Sequence, residues 1–376
     1  MDHKLPLHKF PVHNSRFHNF KFGVVSDPHV ALPHTINYVV SRFHLVEASI
    51  PALEQVQEHL LEEEVDFLLL PGDLTQDGEP DNHKWLGNWL AELPFPSYVI
   101  PGNHDVLVPV ADERSIGWSE FPNYYRNSGY QNSGDRLYYT CSVLPGVRLI
   151  ALNSNQFDTN GKQIGRVDEE QLLWLKAVLA DLEPDELVLV TIHHNVIEHL
   201  PDQSKHPMGR RYMLDNAPEL LELLRSAGVQ LIFTGHLHVQ DIAEEEGIYD
   251  IVTGSLVSYP HPYRIVDFHT DEEGKQWLEI KSPRIKSLPG WPDLPQKSRE
   301  WMGDRSHRFM VRLLSLPPLN MSPAQAEDLA PHLRYFWADI AKGDAKIDFP
   351  EFPPAVRQYF QRFNATNSDN EAKLLL

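Results

Sequence analysis

Apolar and polar positions alternate along the first two thirds of the chain in two rhythms. Short apolar runs lie at 20–26 (FKFGVVS), 65–70 (VDFLLL), 97–100, 137–143, 147–153, 187–192 and 229–234. Runs of this length, rich in branched and aromatic residues, predict buried strands. Between them, 47–64, 81–92, 168–182 and 217–227 carry apolar residues at helical spacing. The segment 168–182 is the clearest: Asp168 can cap it, and Leu172, Leu175, Val178, Leu179 and Leu182 form one apolar stripe. Leu144-Pro145-Gly146 marks a turn between two strands. Three more strands, 248–253, 263–268 and 277–281, follow without a helix, which predicts an antiparallel meander. Alternation first and pure strand later predicts an α/β fold with two packed sheets.

From residue 282 the pattern changes. Proline recurs through SPRIKSLPGWPDLP, as in a linker, and a helical pattern follows. Ser322-Pro323-Ala324-Gln325 is a capping box with proline at the first helical position. The helix it opens is expected to run to Lys342 and stop at Gly343, with 364–376 frayed. The expected organisation is an extension at 1–19, an α/β domain at 20–282, a proline-rich linker at 283–297, a helical segment at 298–364 and a tail at 365–376. Trp301, Phe309, Tyr335, Phe336 and Trp337 in the helical segment need burial, either over the functional site or in a homo-oligomer interface.

Composition narrows the classes. At about 150 residues per domain, 376 residues fit two domains or one large domain with an addition. The single cysteine, Cys141, excludes a disulfide scaffold. Basic residues number 33 and acidic residues 53, giving a net charge of −20. Such a body repels nucleic-acid phosphates and anionic lipid, so neither is expected as a partner. A phosphate substrate would need a local positive charge, which a metal ion supplies. No apolar run approaches the ~20 residues that span a bilayer, and the first residues show no secretory leader, so the expected compartment is the cytoplasm. His3, His8, His13 and His18 recur every five residues, a period of neither helix nor strand, and read as a polar extension.

Five segments bring metal-type donors to the C-terminal ends of predicted strands: Asp27-Pro28-His29, Gly72-Asp73, Gly102-Asn103-His104-Asp105, His193-His194 and Gly235-His236-Leu237-His238. In open α/β sheets the ligand crevice lies at those ends, so all five can converge. Carboxylate, carboxamide and imidazole donors without thiolate suit Mn, Fe, Zn, Ni or Co. Asp27, His29, Asp73, Asn103, His193, His236 and His238 are too many for one ion with an open position. With one bridging carboxylate they supply two ions with four ligands each. Glycines 72, 102 and 235 fit tight turns where backbone passes close to the ions.

The order D-x-H, G-D, G-N-H-D, H, G-H-x-H resembles the calcineurin-like metallophosphoesterase superfamily over residues 21–281. GDLTQDGEP at 72–80, Asn153-Ser154, the 171–175 stretch QLLWL, and Thr253-Gly254-Ser255 with Pro262-Tyr263-Arg264 resemble its bacterial class III cyclic-nucleotide phosphodiesterase branch. Gln76 stands where purple acid phosphatases have tyrosine, and Asp105 where serine/threonine phosphatases have glutamate. The resemblance implies a four-layer α/β/β/α sandwich with the C-terminal helices as an extension. It implies two divalent or trivalent ions (Mn, Fe or Zn): one on Asp27, His29 and His238, one on Asn103, His193 and His236, with Asp73 bridging. His104 would be the general acid and Asp105 would hold its tautomer. His194 would contact substrate or pack.

The expected function is hydrolysis of a small phosphodiester, cyclic-nucleotide-like, by a metal-bridging hydroxide. The alternatives are a phosphomonoesterase or a nucleotide or phospholipid head-group hydrolase, and, in another class, a metal-binding scaffold without catalysis. His206, Arg210, Arg211, His261 and Arg264 could contact the substrate.

Overall fold

The computed structural model describes residues 19–36 and 42–376. His3, His8, His13 and His18 lie outside the described residues. Two six-stranded sheets form the body. The first runs Ala372–Leu375, Gln276–Lys281, Arg264–Thr270, Phe20–Val24, Phe67–Leu70, Ser97–Val99. The second runs Asp241–Glu245, Ile248–Val252, Leu231–Thr234, Leu187–Thr191, Val147–Ala151, Tyr139–Leu144. Strands from Phe20, Phe67 and Ser97 are mutually parallel, as are those from Val147, Leu187, Leu231 and Ile248. Their C-terminal ends therefore open on one side.

Strand alternation sorts the second sheet's side chains. Leu149, Leu189, Leu231 and Phe233 pack into the core shared with the first sheet, where the Phe233 ring meets Phe22 edge-on at 5.4 Å. Ile150, Val188, Val190 and Ile232 face the helices Glu169–Ala180 and Ala217–Ser226 through Leu172, Leu175, Leu220 and Leu224. The helices Ser49–Glu62 and Pro80–Ala91 cover the first sheet. Gly23 gives the covering helix room there: a Cβ would stand 2.8 Å from the end of the Leu60 side chain, which would have to shift. The result is a four-layer α/β/β/α sandwich. Asp168 caps its helix by accepting from Gln171 N.

Three expectations need correction. The meander does not form: Ile248–Val252 lies in the second sheet, whereas Arg264–Thr270 and Gln276–Lys281 pair in the first. Short spacing does not state which sheet a strand joins. Buried Arg264 ties the crossing together, donating to Val252 O, Asp241 O, Ser282 Oγ and Asp369 O. The tail is not frayed throughout, because Ala372–Leu375 forms an edge strand on Gln276–Lys281. The helix opened by the Ser322 capping box ends at Leu329, gives way to a 3₁₀ turn at Ala330–Leu333, and resumes at Phe336–Ala341. Pro331 explains the break, since it lacks the N–H a continuing helix needs.

Leu294–Ser315 is a 22-residue helix. Its Pro295, which reads as linker, sits in the first turn where a helix tolerates it. With Pro323–Leu329, Phe336–Ala341 and Pro354–Gln361 it buries Met310, Leu314, Phe336 and Phe360 against Leu237, Val239 and Val252 of the sandwich. Among the described residues no helix is long and apolar enough to cross a membrane.

Candidate metal centre

The loops after the parallel strands keep the sheet's pairing beyond it. Asp27 N donates to Gly72 O at 3.2 Å, His29 N to Asp73 O at 3.0 Å, and Gly235 N to His193 O at 3.1 Å. Five of the candidate donors sit on left-handed backbone: Asp27 (φ 49°), His29 (40°), Asp73 (50°), His236 (66°) and His238 (59°). This conformation is unfavourable for residues with a Cβ and concentrates at functional sites. Glycine lets the loops close. A Cβ on Gly72 would stand 2.6 Å from His193 Nδ1, and one on Gly235 2.5 Å from Asp27 Oδ2.

Asp27, His29, Asp73 and His238 form one group and Asp73, His193 and His236 another, each with ligand atoms within 4.8 Å of one another. Asp73 is common to both. His238 Nε2 lies 3.0 Å from Asp27 Oδ1 and 3.3 Å from His29 Nε2. His193 Nε2 lies 3.3 Å from both Asp73 Oδ2 and Asn103 Oδ1. Bonds of ~2.1 Å give donor–donor edges of about 3.0 Å in an octahedron and about 3.4 Å in a tetrahedron. The observed separations match those edges, so the donor set fits a pair of cations.

The histidines are oriented for it. His193 Nδ1–H donates to Pro71 O at 2.8 Å, which leaves the Nε2 lone pair for the centre. His236 Nε2–H donates to Arg211 O at 3.3 Å, and its backbone N–H meets Asp27. Burial, together with neighbouring imidazoles, holds His29 and His236 well below the usual histidine range, so both are neutral donors. Burial opposes a proton on His193, but the Asp73 carboxylate outweighs it and lifts its pKa to about 9. A proton and a cation compete for that nitrogen.

His104 stands on the rim with 31% of its side chain exposed. Its Nδ1–H donates to Gln76 O at 2.6 Å, and Asp77 Oδ1 lies at 3.4 Å. Burial opposes its charge, yet Asp73, Asp77 and the Gln76 carbonyl outweigh it and raise the pKa to about 10. Asp105 does not hold His104. Its Oδ2 accepts from Gly102 N (2.8 Å) and Leu74 N (3.0 Å), and its Oδ1 from Thr75 N (2.8 Å) and Thr75 Oγ1 (3.1 Å). It ties the Gly102 and Leu74 turns together, and Asp77 takes the place expected of it. His194 packs its ring on His236 at 4.4 Å between centroids, its Nδ1 bonded to Ser154 Oγ at 2.8 Å.

A cavity of about 690 Å³ opens over the centre, walled by Asp73, Asn103, His104, His194, His236 and His238. Arg42, Lys162, Arg210 and Arg211 add positive charge, and Tyr212, Met302 and Trp337 add apolar wall. Met302 and Trp337 come from the C-terminal helices. Arg210 and Arg211 are thus at the site. Arg264 and His261 are not: both are fully buried, and His261 Nδ1–H donates to Leu256 O at 2.9 Å. His206 stands outside this cavity, beside a smaller one. Two neighbours escaped the sequence reading. Lys162 belongs to a hairpin, Asn155–Phe157 with Gln163–Gly165, too short for periodicity to mark. His44 lies in a loop without a motif, its ring stacked on His29 at 4.4 Å.

The calcineurin-like phosphoesterase profile matches residues 20–240. A probable glycerophosphodiester phosphodiesterase of Arcobacter nitrofigilis is 29% identical over 57% of this chain and 70% of its own length. A probable cyclic nucleotide phosphodiesterase of Synechococcus is 32% identical over 50% of this chain and 64% of its own. The chain thus spans about two thirds of the length of these relatives. In fold it is similar to a dimetal phosphatase from Danio rerio, with a TM-score of 0.51, 18% identity, and coverage of 70% of this chain and 96% of that one.

Proposed function

The chain belongs to the calcineurin-like phosphoesterase family, and on that premise we propose that it is a dinuclear-metal hydrolase of small phosphodiesters. The convergence of two donor groups on Asp73 carries this reading. Asp27, His29 and His238 would hold one cation and Asn103, His193 and His236 the other, with Asp73, common to both groups, serving each. Such a pair, when bound, acidifies a water and neutralises phosphoryl oxygens. Manganese, iron and zinc all suit the donors.

The chain's own residues do the rest. His104, its Nδ1 held by Gln76 O and Asp77, presents Nε2–H to the leaving oxygen as general acid. Asp105 fixes the turn that carries Asn103 and His104. Arg210, Arg211 and Lys162 draw an anionic substrate toward an otherwise acidic protein. The cavity's volume lies within the range for small-molecule sites. Diester preference is supported by the names of both relatives, which differ in what the diester carries.

The test is hydrolysis of bis-p-nitrophenyl phosphate beside p-nitrophenyl phosphate by Mn²⁺-loaded protein. Faster turnover of the diester is expected. Faster turnover of the monoester moves the reading to a phosphatase. Two bound metals with neither activity would support a scaffold.

A further inference from the structure

The cations around the cavity suit a phosphate, but its apolar wall of Tyr212, Met302 and Trp337 has no task in the reaction derived above. Met302 and Trp337 come from helices beyond residue 240, outside the family match, so this wall is the C-terminal segment's addition to the site. Trp337 is half-buried, and the Phe309 ring props it at 5.5 Å and 56°. Tyr212 and Trp337 also line a smaller, mostly apolar pocket with Phe309 and Phe336, so the two rings partition that pocket from the cavity.

The wall and the general acid stand at different ends of the donor set. The His104 ring meets His29, of the first donor group, edge-on at 4.8 Å. The Tyr212 ring lies 5.0 Å from His236, of the second. A phosphodiester carries two ester groups. In an in-line displacement one leaves, with its oxygen toward His104, and the other stays on phosphorus. The one that stays then lies on the Tyr212 side. Against a thioether and aromatic rings, the hydroxyls of a polyol would lose water and gain no partner, whereas a flat apolar group gains contact.

We propose that Tyr212, Met302 and Trp337 form the subsite for the ester group that stays on the phosphate, and that this subsite selects a flat, aryl-type group over an alkyl or polyol one. The proposal rests on the diester reading above and adds the chemistry of one ester group to it. Water supplies the oxygen that bonds to phosphorus, the bond to the leaving oxygen breaks, and that oxygen takes its proton from His104. The product held at the wall is the phosphomonoester of the flat group. That group changes neither charge nor bonding at its ring, so its contacts act on KM rather than on kcat.

The test compares two diesters on the Mn²⁺-loaded full chain, bis-p-nitrophenyl phosphate and methyl p-nitrophenyl phosphate. p-Nitrophenolate leaves from both, and only the retained group differs. KM for the bis-aryl ester should be lower by about 10-fold or more. Trp337→Ala should erase most of that difference by raising KM for the bis-aryl ester alone, with kcat little changed. Met302→Ala, on the other helix, should act in the same direction, and Trp337→Phe should keep most of the preference. The ratio of the two kcat/KM values does not depend on the folded fraction, so partial unfolding of a variant leaves the reading intact. Equal KM values for the two esters in the unaltered protein overturn the proposal, as does an unchanged ratio in Trp337→Ala. An equal rise in KM for both esters puts the wall against the leaving group and overturns the assignment. Turnover of p-nitrophenyl phosphate with neither diester cleaved would instead remove the diester reading on which the proposal rests.

Discussion

His104 and His199 look alike in isolation and work differently in context. In each, burial opposes the charge, and nearby carboxylates outweigh it and lift the pKa to about 10. His199 is closed on both sides. Its Nδ1 lies 2.6 Å from Asp241 Oδ2 and its Nε2 3.4 Å from Asp250 Oδ2, with none of the side chain exposed. Asp250 in turn accepts from Val196 N, Ile197 N and Thr234 Oγ1, which locks it to the second sheet. His104 is closed on one side only: Nδ1 faces Gln76 O and Asp77, and the ring borders the cavity. A buried charge with a carboxylate on either side is a brace. One with an open direction facing a cavity is placed for the general-acid role proposed above.

Four substitutions break or sharpen that contrast. His104→Ala should lower kcat by about 10²–10⁴ with cation content and melting temperature nearly unchanged. Retained turnover in that variant would remove the distinction. His199→Ala should do the reverse. It leaves the buried Asp250 and the half-buried Asp241 without their cation, costs about 3–5 kcal/mol in denaturant unfolding, and spares the kcat of the folded fraction. Its sign with pH follows from the raised pKa. The stabilisation from the His199 charge is full below about 6.5 and is lost as pH rises through about 10, so the deficit of the variant should shrink across that window. Asp105→Asn sets an amide against backbone donors and should cost about 1–3 kcal/mol in unfolding, with little change in the alkaline limb of the rate profile. Asp77→Asn is the smallest. Loss of the anion beside His104 should lower kcat by about 10-fold and move the alkaline limb to lower pH, read from kcat against pH.

Much of this arrangement was legible because it follows from one rule. Parallel strands end on the same side, so Asp27, Asp73, Asn103, His193, His236 and His238 could be placed together from strand order alone. What failed was whatever depended on tertiary partners. The resemblance put Asp105 beside His104, but the turn sends the Asp105 carboxylate toward Leu74 and Thr75. Asp77 reaches His104 from the neighbouring loop, and only its place in GDLTQDGEP marked it. Sheet membership of Ile248–Val252 and Arg264–Thr270 was equally hidden, since both read as the same kind of strand. The Leu294–Ser315 helix was partly masked by Pro292 and Pro295, whose meaning reverses between a linker and a first helical turn.

The left-handed backbone at Asp27, His29, Asp73, His236 and His238 has a consequence for how the protein should be handled. Five unfavourable backbone conformations are held in one place by packing, and carboxylates and imidazoles crowd together there. A cation pair relieves that crowding in the folded chain and has no equivalent site in the unfolded one. Occupancy and folding are therefore one linked equilibrium: a site at 100 times its dissociation constant adds about 2.7 kcal/mol to stability. Chelation should lower the melting temperature and restored metal should raise it again. A thermal melt then serves as an assay of loading, and preparations of unequal metal content will differ in apparent stability without differing in sequence.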